Sequence, residues 1–140
     1  MKDEQLSPHF LRSEFACPCC GRANVVSRLV VALELLCEIA GRAVRITSGV
    51  RCPRHNRKVG GQPRSQHLEG IAADIVIEGL SVEEMFHLAL EVPAFLNGGI
   101  GIYPQEGFIH VDTRRATARW ARIDGAYVGI PKSFFRPKVL

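Results

Sequence analysis

The residue types that can do chemistry converge on one stretch of this chain, Ser65-Gln66-His67-Leu68-Glu69-Gly70-Ile71-Ala72-Ala73-Asp74. His67 lies in a loop, and Asp74 lies in a run that is apolar at nearly every position, Ile71 to Ile77. A buried carboxylate is costly unless a cation, a metal or several donors satisfy it. His110 repeats the anomaly between Ile109 and Val111. The bland readings are a core aspartate paired with an arginine and a satisfied core histidine. Against them stands the combination, because two histidines and one aspartate meeting at one metal satisfy one another. That set leaves one corner of a tetrahedron open, which is the ligand count of a catalytic zinc. Gly70, Ala72 and Ala73 would let backbone approach the ion closely. Ser65 would cap the loop or hydrogen-bond a ligand from behind.

Several elements must position these groups. Val26, Leu29, Val30, Leu33, Leu36, Cys37 and Ala40 recur at helical steps and predict a core helix over 26–40. Asn24 is its expected N-cap and Gly41 its stop. Glu34 and Glu38 fall off the apolar stripe and are expected in solvent. Val44-Arg45-Ile46-Thr47-Ser48 alternates and predicts a strand. Residues 51–58 form a basic loop or short helix, and 59–64 a flexible loop. A central strand over 71–77 follows. Ser81 and Glu84 make a capping box for a helix that ends before Pro93. Residues 98–103 and 107–112 predict two strands joined by a turn at Pro104-Gln105-Glu106-Gly107. Phe10 and Phe15 anchor an N-terminal arm, residues 1–24. A basic run with Trp120 occupies 114–124, with Trp120 expected to pack that segment onto the sheet, and 125–140 reads as an irregular tail. This order predicts one α+β domain over 1–140, a small, mainly antiparallel sheet with helices packed on one face.

A chain of 140 residues is long enough to bury a real core. Its net charge of +4 and pI near 9.0 are compatible with an anionic partner. The basic residues are not interleaved with aromatics, which argues against nucleic acid. No apolar run approaches the ~20 residues of a membrane span. The first residues, Met1-Lys2-Asp3-Glu4-Gln5, lack the apolar segment of a secretory signal. The expectation is a monomer made in the cytoplasm, without membrane partners.

The pattern Ser-x-His-x-x-Gly-x-Ala-x-Asp, followed by Phe108-Ile109-His110-Val111-Asp112, resembles the zinc D-Ala-D-Ala carboxypeptidase family of peptidoglycan peptidases. That family shares a fold with the Hedgehog signalling domain and lysostaphin-like endopeptidases. The resemblance extends from Phe10-Leu11-Arg12-Ser13-Glu14-Phe15 through Ser48-Gly49-Val50-Arg51 and Asn56-Arg57-Lys58-Val59-Gly60-Gly61 to Gly98-Gly99-Ile100-Gly101-Ile102-Tyr103-Pro104. It implies that His67, Asp74 and His110 hold zinc and that Arg51 holds a substrate carboxylate or carbonyl, as a planar, always-charged fork of donors can. Several relatives carry an acid three residues before the last histidine ligand, where this chain has Gly107. Two acids stand in for it as general base. Asp112 shares the sheet face of His110, and Glu106 sits in the preceding turn; the bland readings are a partner behind a ligand or a bridge to Arg114 for Asp112, and a solvated turn residue for Glu106.

Function follows as an expectation. The chain hydrolyses peptide bonds involving D-amino acids in peptidoglycan stem peptides or cross-bridges, as carboxypeptidase or endopeptidase. Without a signal, a phage or prophage lysis enzyme, released through another protein's pore, is the context that fits. The alternative is a catalytically silent zinc-containing binding module of the same fold. Cys17-x-x-Cys20 with Cys52-x-x-His55 has the spacing of a structural zinc site. A single disulfide to Cys52, or free thiols, are the other readings. Cys37 reads as core.

Overall fold

The structure is a computed structural model that describes residues 3–135. Strands β1 (Gln5–Ser7) and β2 (Phe10–Leu11) form a small ribbon, and a 3-10 turn follows at Arg12–Phe15. The main chain of elements is α1 (Ser27–Ala40), β3 (Val44–Ser48), α2 (Pro53–Lys58), a 3-10 turn at Gln66–Glu69, β4 (Ala72–Ile77), α3 (Val82–Ala89), α4 (Pro93–Leu96), β5 (Gly99–Tyr103), β6 (Phe108–Asp112), β7 (Ala118–Ile123) and β8 (Ala126–Val128). Six strands form one sheet in the order β3-β4-β6-β5-β7-β8. All neighbours pair antiparallel except β5 and β7, which are parallel. This is the α+β architecture that the sequence predicts.

Alternation along the strands divides the sheet into two faces. Ile75, Ile77, Ile100, Ile102, Ile109 and Val111 join Leu29, Leu33 and Leu36 of α1, Met85 and Phe86 of α3, and Phe95 of α4 in the core. Asp74, His110, Asp112, Gly99 and Gly101 occupy the intervening positions, so the opposite face carries the polar groups. Phe10 and Phe15 dock the arm, their ring centroids 5.8 Å apart. Cys37 is in the core.

Four local expectations need correction. Helix α1 starts at Ser27, with Val26 and not Asn24 as N-cap. The Val25 N–H donates to the Ala23 carbonyl and the Val26 N–H to the Gly70 carbonyl, which keeps the chain extended up to that point. Gly41 does stop the helix, in the left-handed region at φ 64°. Glu34 is not solvated, because the His9 backbone N–H (2.9 Å) and ring nitrogen both bind its carboxylate. Pro93 ends one helix and also opens α4 at a position where its missing N–H costs nothing. Residues 118–128 are strands β7 and β8, and Lys132–Phe135 is a 3-10 turn, so the tail is ordered beyond 125. Residues 136–140 of that tail lie outside the described chain.

Candidate metal centre and cleft

Strand register builds the site as a row across the sheet. Ser48 of β3 faces Asp74 of β4, Asp74 faces His110 of β6, His110 faces Gly101 of β5, and Gly101 faces Trp120 of β7. An irregularity between Ile46 and Ser48 brings Ser48 opposite Asp74. Gly101 makes room for the indole, since a Cβ there would lie 2.3 Å from the Trp120 ring. That ring sits 4.9 Å from the His110 ring, centroid to centroid. Trp120 therefore packs on the sheet, as expected, and does so beside the site.

His67 comes from the 3-10 turn before β4. Ser65 caps that turn, its hydroxyl accepting the His67 backbone N–H at 3.2 Å. Gly70 closes it at φ 73° and abuts the Asn24 carbonyl, so its smallness serves the turn and that contact. The His67 Nδ1 lies 2.7 Å from the Gly49 carbonyl oxygen. A carbonyl only accepts, so Nδ1 carries the proton and the neutral ring turns a bare Nε2 inward. Burial holds the His67 pKa below its usual value and keeps the ring neutral. Nε2 nevertheless faces Asp74 Oδ1 at 3.1 Å.

His110 is oriented from the other side. Its Nε2 lies 2.7 Å from Asp112 Oδ2 and donates to that carboxylate. Its Nδ1 faces Asp74 Oδ1 at 3.2 Å. One atom each from His67, Asp74 and His110 thus lie within 4.8 Å of one another. Three buried acceptors pointing at one spot repel unless a proton or cation stands between them. Two nitrogens and one carboxylate oxygen, each backed by a hydrogen bond, are a donor set that fits zinc.

The supporting groups are themselves fixed. Arg51 donates to Asp74 Oδ2 at 3.0 Å, to the Ser48 hydroxyl at 3.1 Å and to the Asn56 side-chain oxygen at 3.2 Å. Burial would raise the Asp74 pKa, but the hydrogen bond from a protonated His110 Nδ1, with that ring's positive charge, outweighs it and holds the carboxyl well below the usual range. Asp112 is fully buried. Its oxygens accept from the Gly99 N–H (2.9 Å), from the Arg114 N–H (3.1 Å) and twice from the Arg114 guanidinium, in addition to His110. Those donors outweigh burial and depress its pKa strongly. Gly99 is another made space, for its Cβ would lie 2.2 Å from the Asp112 carboxylate.

The group of His67, Asp74 and His110 floors a cleft of about 460 Å³. Arg51, Arg64, Ser65 and Gln66 line one side, and Tyr103, Arg114, Trp120 and Tyr127 the other. The Trp120 indole N–H donates to the Tyr103 hydroxyl at 3.2 Å, and the Arg114 guanidinium lies 5.3 Å from the indole centroid. Burial pushes the Tyr103 pKa up to about 12, so the phenol stays protonated.

Comparison with known proteins agrees with this geometry. The family model described as Peptidase M15 matches residues 8–112, from the arm to Asp112. The chain belongs to the peptidase M15 family. It is also 34% identical over 77 residues to the peptidoglycan L,D-endopeptidase MepK of Escherichia coli strain K12, and to the same protein of Shigella flexneri. Those alignments cover 51% of this chain and 41% of each relative, so the chain spans about two fifths of the curated relatives it matches.

Within this M15 domain the expected site residues divide. His67, Asp74 and His110 come together, with Ser65 and Arg51 beside them. Arg51 is largely committed to Asp74, Ser48 and Asn56, which leaves less of its fork for a ligand than expected. Asp112 stands behind His110 with its oxygens occupied, so it is not open to water as a base must be. Glu106 is exposed on the β5–β6 turn and does not line the cleft. Among the described residues, Asp74 is the only carboxylate lining it. Cys17, Cys20 and Cys52 cluster, whereas the His55 ring is not part of that group. Sequence reasoning missed the Gly49 carbonyl, Tyr103 and Tyr127, whereas the bridge from Asp112 to Arg114 was one of its alternatives. Two glycines inside one strand, which mark close approach, were the available signal.

Proposed function

We propose that this protein is a zinc-dependent peptidoglycan peptidase that cleaves a peptide bond within cross-links. The observation that carries the reading is the convergence of His67 Nε2, His110 Nδ1 and Asp74 Oδ1 at the floor of an open cleft. Zinc held there would supply a Lewis acid for the scissile carbonyl and would lower the pKa of an attacking water. The chain's own residues set up that chemistry. Gly49 and Asp112 fix the two imidazole tautomers, and Arg51 fixes the Asp74 carboxylate. Arg64 gives the cleft rim a positive charge suited to the free carboxylates of stem peptides, whereas Arg114, like Arg51, is paired with an aspartate. Trp120, Tyr103 and Tyr127 form an aromatic wall against which a peptide can pack.

Endopeptidase action is favoured over D-Ala-D-Ala carboxypeptidase action for two reasons. The expected reader of a terminal carboxylate, Arg51, is taken up by Asp74, and the similar MepK proteins are named L,D-endopeptidases. The absence of a free acid among the described residues of the cleft favours a second reading, a metal-holding binding module. One experiment separates all three. Purified zinc-loaded protein is incubated with peptidoglycan and the products are read by mass spectrometry. Conversion of cross-linked dimers to monomers is the expected result. Loss of a terminal D-Ala alone would make it a carboxypeptidase. Unchanged peptidoglycan, with zinc bound, would leave the binding module.

A further inference from the structure

A second group of potential ligands lies outside the cleft. Cys17 and Cys20 come from the arm between the 3-10 turn at Arg12–Phe15 and α1, and Cys52 is the N-cap of α2. Their sulfurs lie within 4.8 Å of one another, although the residues come from chain segments more than thirty positions apart. All are free thiols. Cys17 is buried at 1% exposure.

Backbone donors point at two of these sulfurs, those of Cys17 and Cys52. The Cys52 N–H donates to Cys17 Sγ at 3.5 Å, and the N–H groups of Cys19 and Cys20 also point at that sulfur. The His55 N–H donates to Cys52 Sγ at 3.4 Å. The arm folds back on itself to deliver these donors, with the Cys17 N–H on the Arg22 carbonyl (2.7 Å) and the Gly21 N–H on the Cys17 carbonyl (2.8 Å). Donors aimed at sulfur favour the thiolate, which is the form that ligates metal. A disulfide would satisfy two of the three cysteines and strand the third. Zinc satisfies all three, at Zn–S distances of ~2.3 Å and S–S separations of ~3.8 Å, which sulfurs grouped within 4.8 Å of one another can meet.

We infer that Cys17, Cys20 and Cys52 bind a structural zinc ion, separate from the metal centre of the cleft. Neither Cys19 nor the His55 ring belongs to the observed group, so the fourth position falls to water or to one of these side chains turned inward on binding. The ion clamps the arm to the loop between β3 and α2. That loop supplies two supports of the cleft, the Gly49 carbonyl on His67 and the Arg51 fork on Asp74. Backbone contacts already join the same pieces, with the Val50 N–H on the Phe15 carbonyl (2.8 Å) and the Arg51 N–H on the His67 carbonyl (3.1 Å). A Cβ on Gly49 would strike the Phe15 backbone at 2.6 Å, so the arm and the loop have no slack between them.

Elemental analysis of the full chain, purified under reducing conditions without added metal, is expected to give two zinc ions per chain. The His67→Ala/His110→Ala chain is expected to keep one. Exchange of zinc for cobalt in the unsubstituted chain should produce intense sulfur-to-cobalt absorption in the near ultraviolet. Cys20→Ser, at an exposed position that spares the core, should weaken that band and lower the count by one. One zinc with the sulfur band would support the cysteine site and sink the cleft site. One zinc without the band, or a disulfide joining any two of the three cysteines in freshly purified protein, would overturn the proposal.

Discussion

Gly99 and Gly101 leave two positions on the site face of β5 without side chains, and each makes room for one group, the Asp112 carboxylate and the Trp120 ring. The consequence is clearest for Asp112. Five donors surround a fully buried carboxylate whose one catalytic connection is the His110 Nε2 proton. Its role is to hold the His110 tautomer and raise the basicity of Nδ1. Asp112→Asn should therefore keep the fold, weaken zinc binding ~10–100-fold and lower activity through metal occupancy. Competition with a chromogenic chelator measures the first effect, and excess zinc should restore part of the activity. A proton acceptor behaves differently, for its loss costs ~100–10,000-fold in rate at full metal occupancy. Glu106→Gln is expected to fall far short of that, because Glu106 is exposed and outside the cleft. A loss of that size with zinc still bound would return Glu106 to the chemistry.

At the scale of elements, α1, β3, β4, α3 and the β5–β6 hairpin were legible because each buries one face and so carries a period. Leu33 lies in the middle of the α1 stripe and is fully buried between helix and sheet. Leu33→Ala should cost about 2–5 kcal/mol in urea unfolding of the metal-loaded protein, with zinc content unchanged. The strands that sequence reasoning missed carry no such period. β8 is an edge strand exposed at every residue, and β7 turns Trp120 and Arg122 to the cleft side and only Ala121 fully into the core. Their place is set by tertiary pairing, with β7 parallel to β5. The site was legible in a similar, partial way. His67, Asp74 and His110 stood out because polar groups interrupted apolar strands. Roles that depend on which neighbours close around a side chain did not, so Arg51 read as a substrate ligand, and Asp112 stayed open between a base and a bridge to Arg114. Their positions next to ligands were visible in the sequence, but the hydrogen bonds that consume them were not.

For the whole molecule, stability, protons and metal are linked through the buried polar row. In the metal-free protein, burial would lower the His110 pKa, but hydrogen bonds to Asp112 and Asp74 outweigh it and raise it above the ordinary value of ~6.5. That stabilisation is complete below ~6.5 and is lost as pH rises through the raised folded pKa. Asp74 and Asp112 run the other way. Their folded pKa values lie below the ordinary ~3.9, so their contribution is present above it and is lost as pH falls through the folded values. Between ~4 and ~6.5 those three contributions are all present, whereas the lowered His67 pKa removes stability as pH falls below ~6.5, so the metal-free protein should be most stable near the upper end of that window. At the proposed site zinc would have to replace the proton on His110 Nδ1, whereas His67 is already neutral and would release none. Metal binding should accordingly expel one proton and not two. Below the raised His110 pKa, zinc-induced stabilisation of this site should grow by about 1.4 kcal/mol per pH unit. Above that pKa the growth should level off, even though the metal-free protein is by then weaker. Paired thermal melts with and without zinc across this range, on the Cys20→Ser chain so that only the cleft responds, measure the slope. A slope of zero would mean that His110 is not a ligand, and a doubled slope would mean that His67 enters the site protonated, against its hydrogen bond to Gly49.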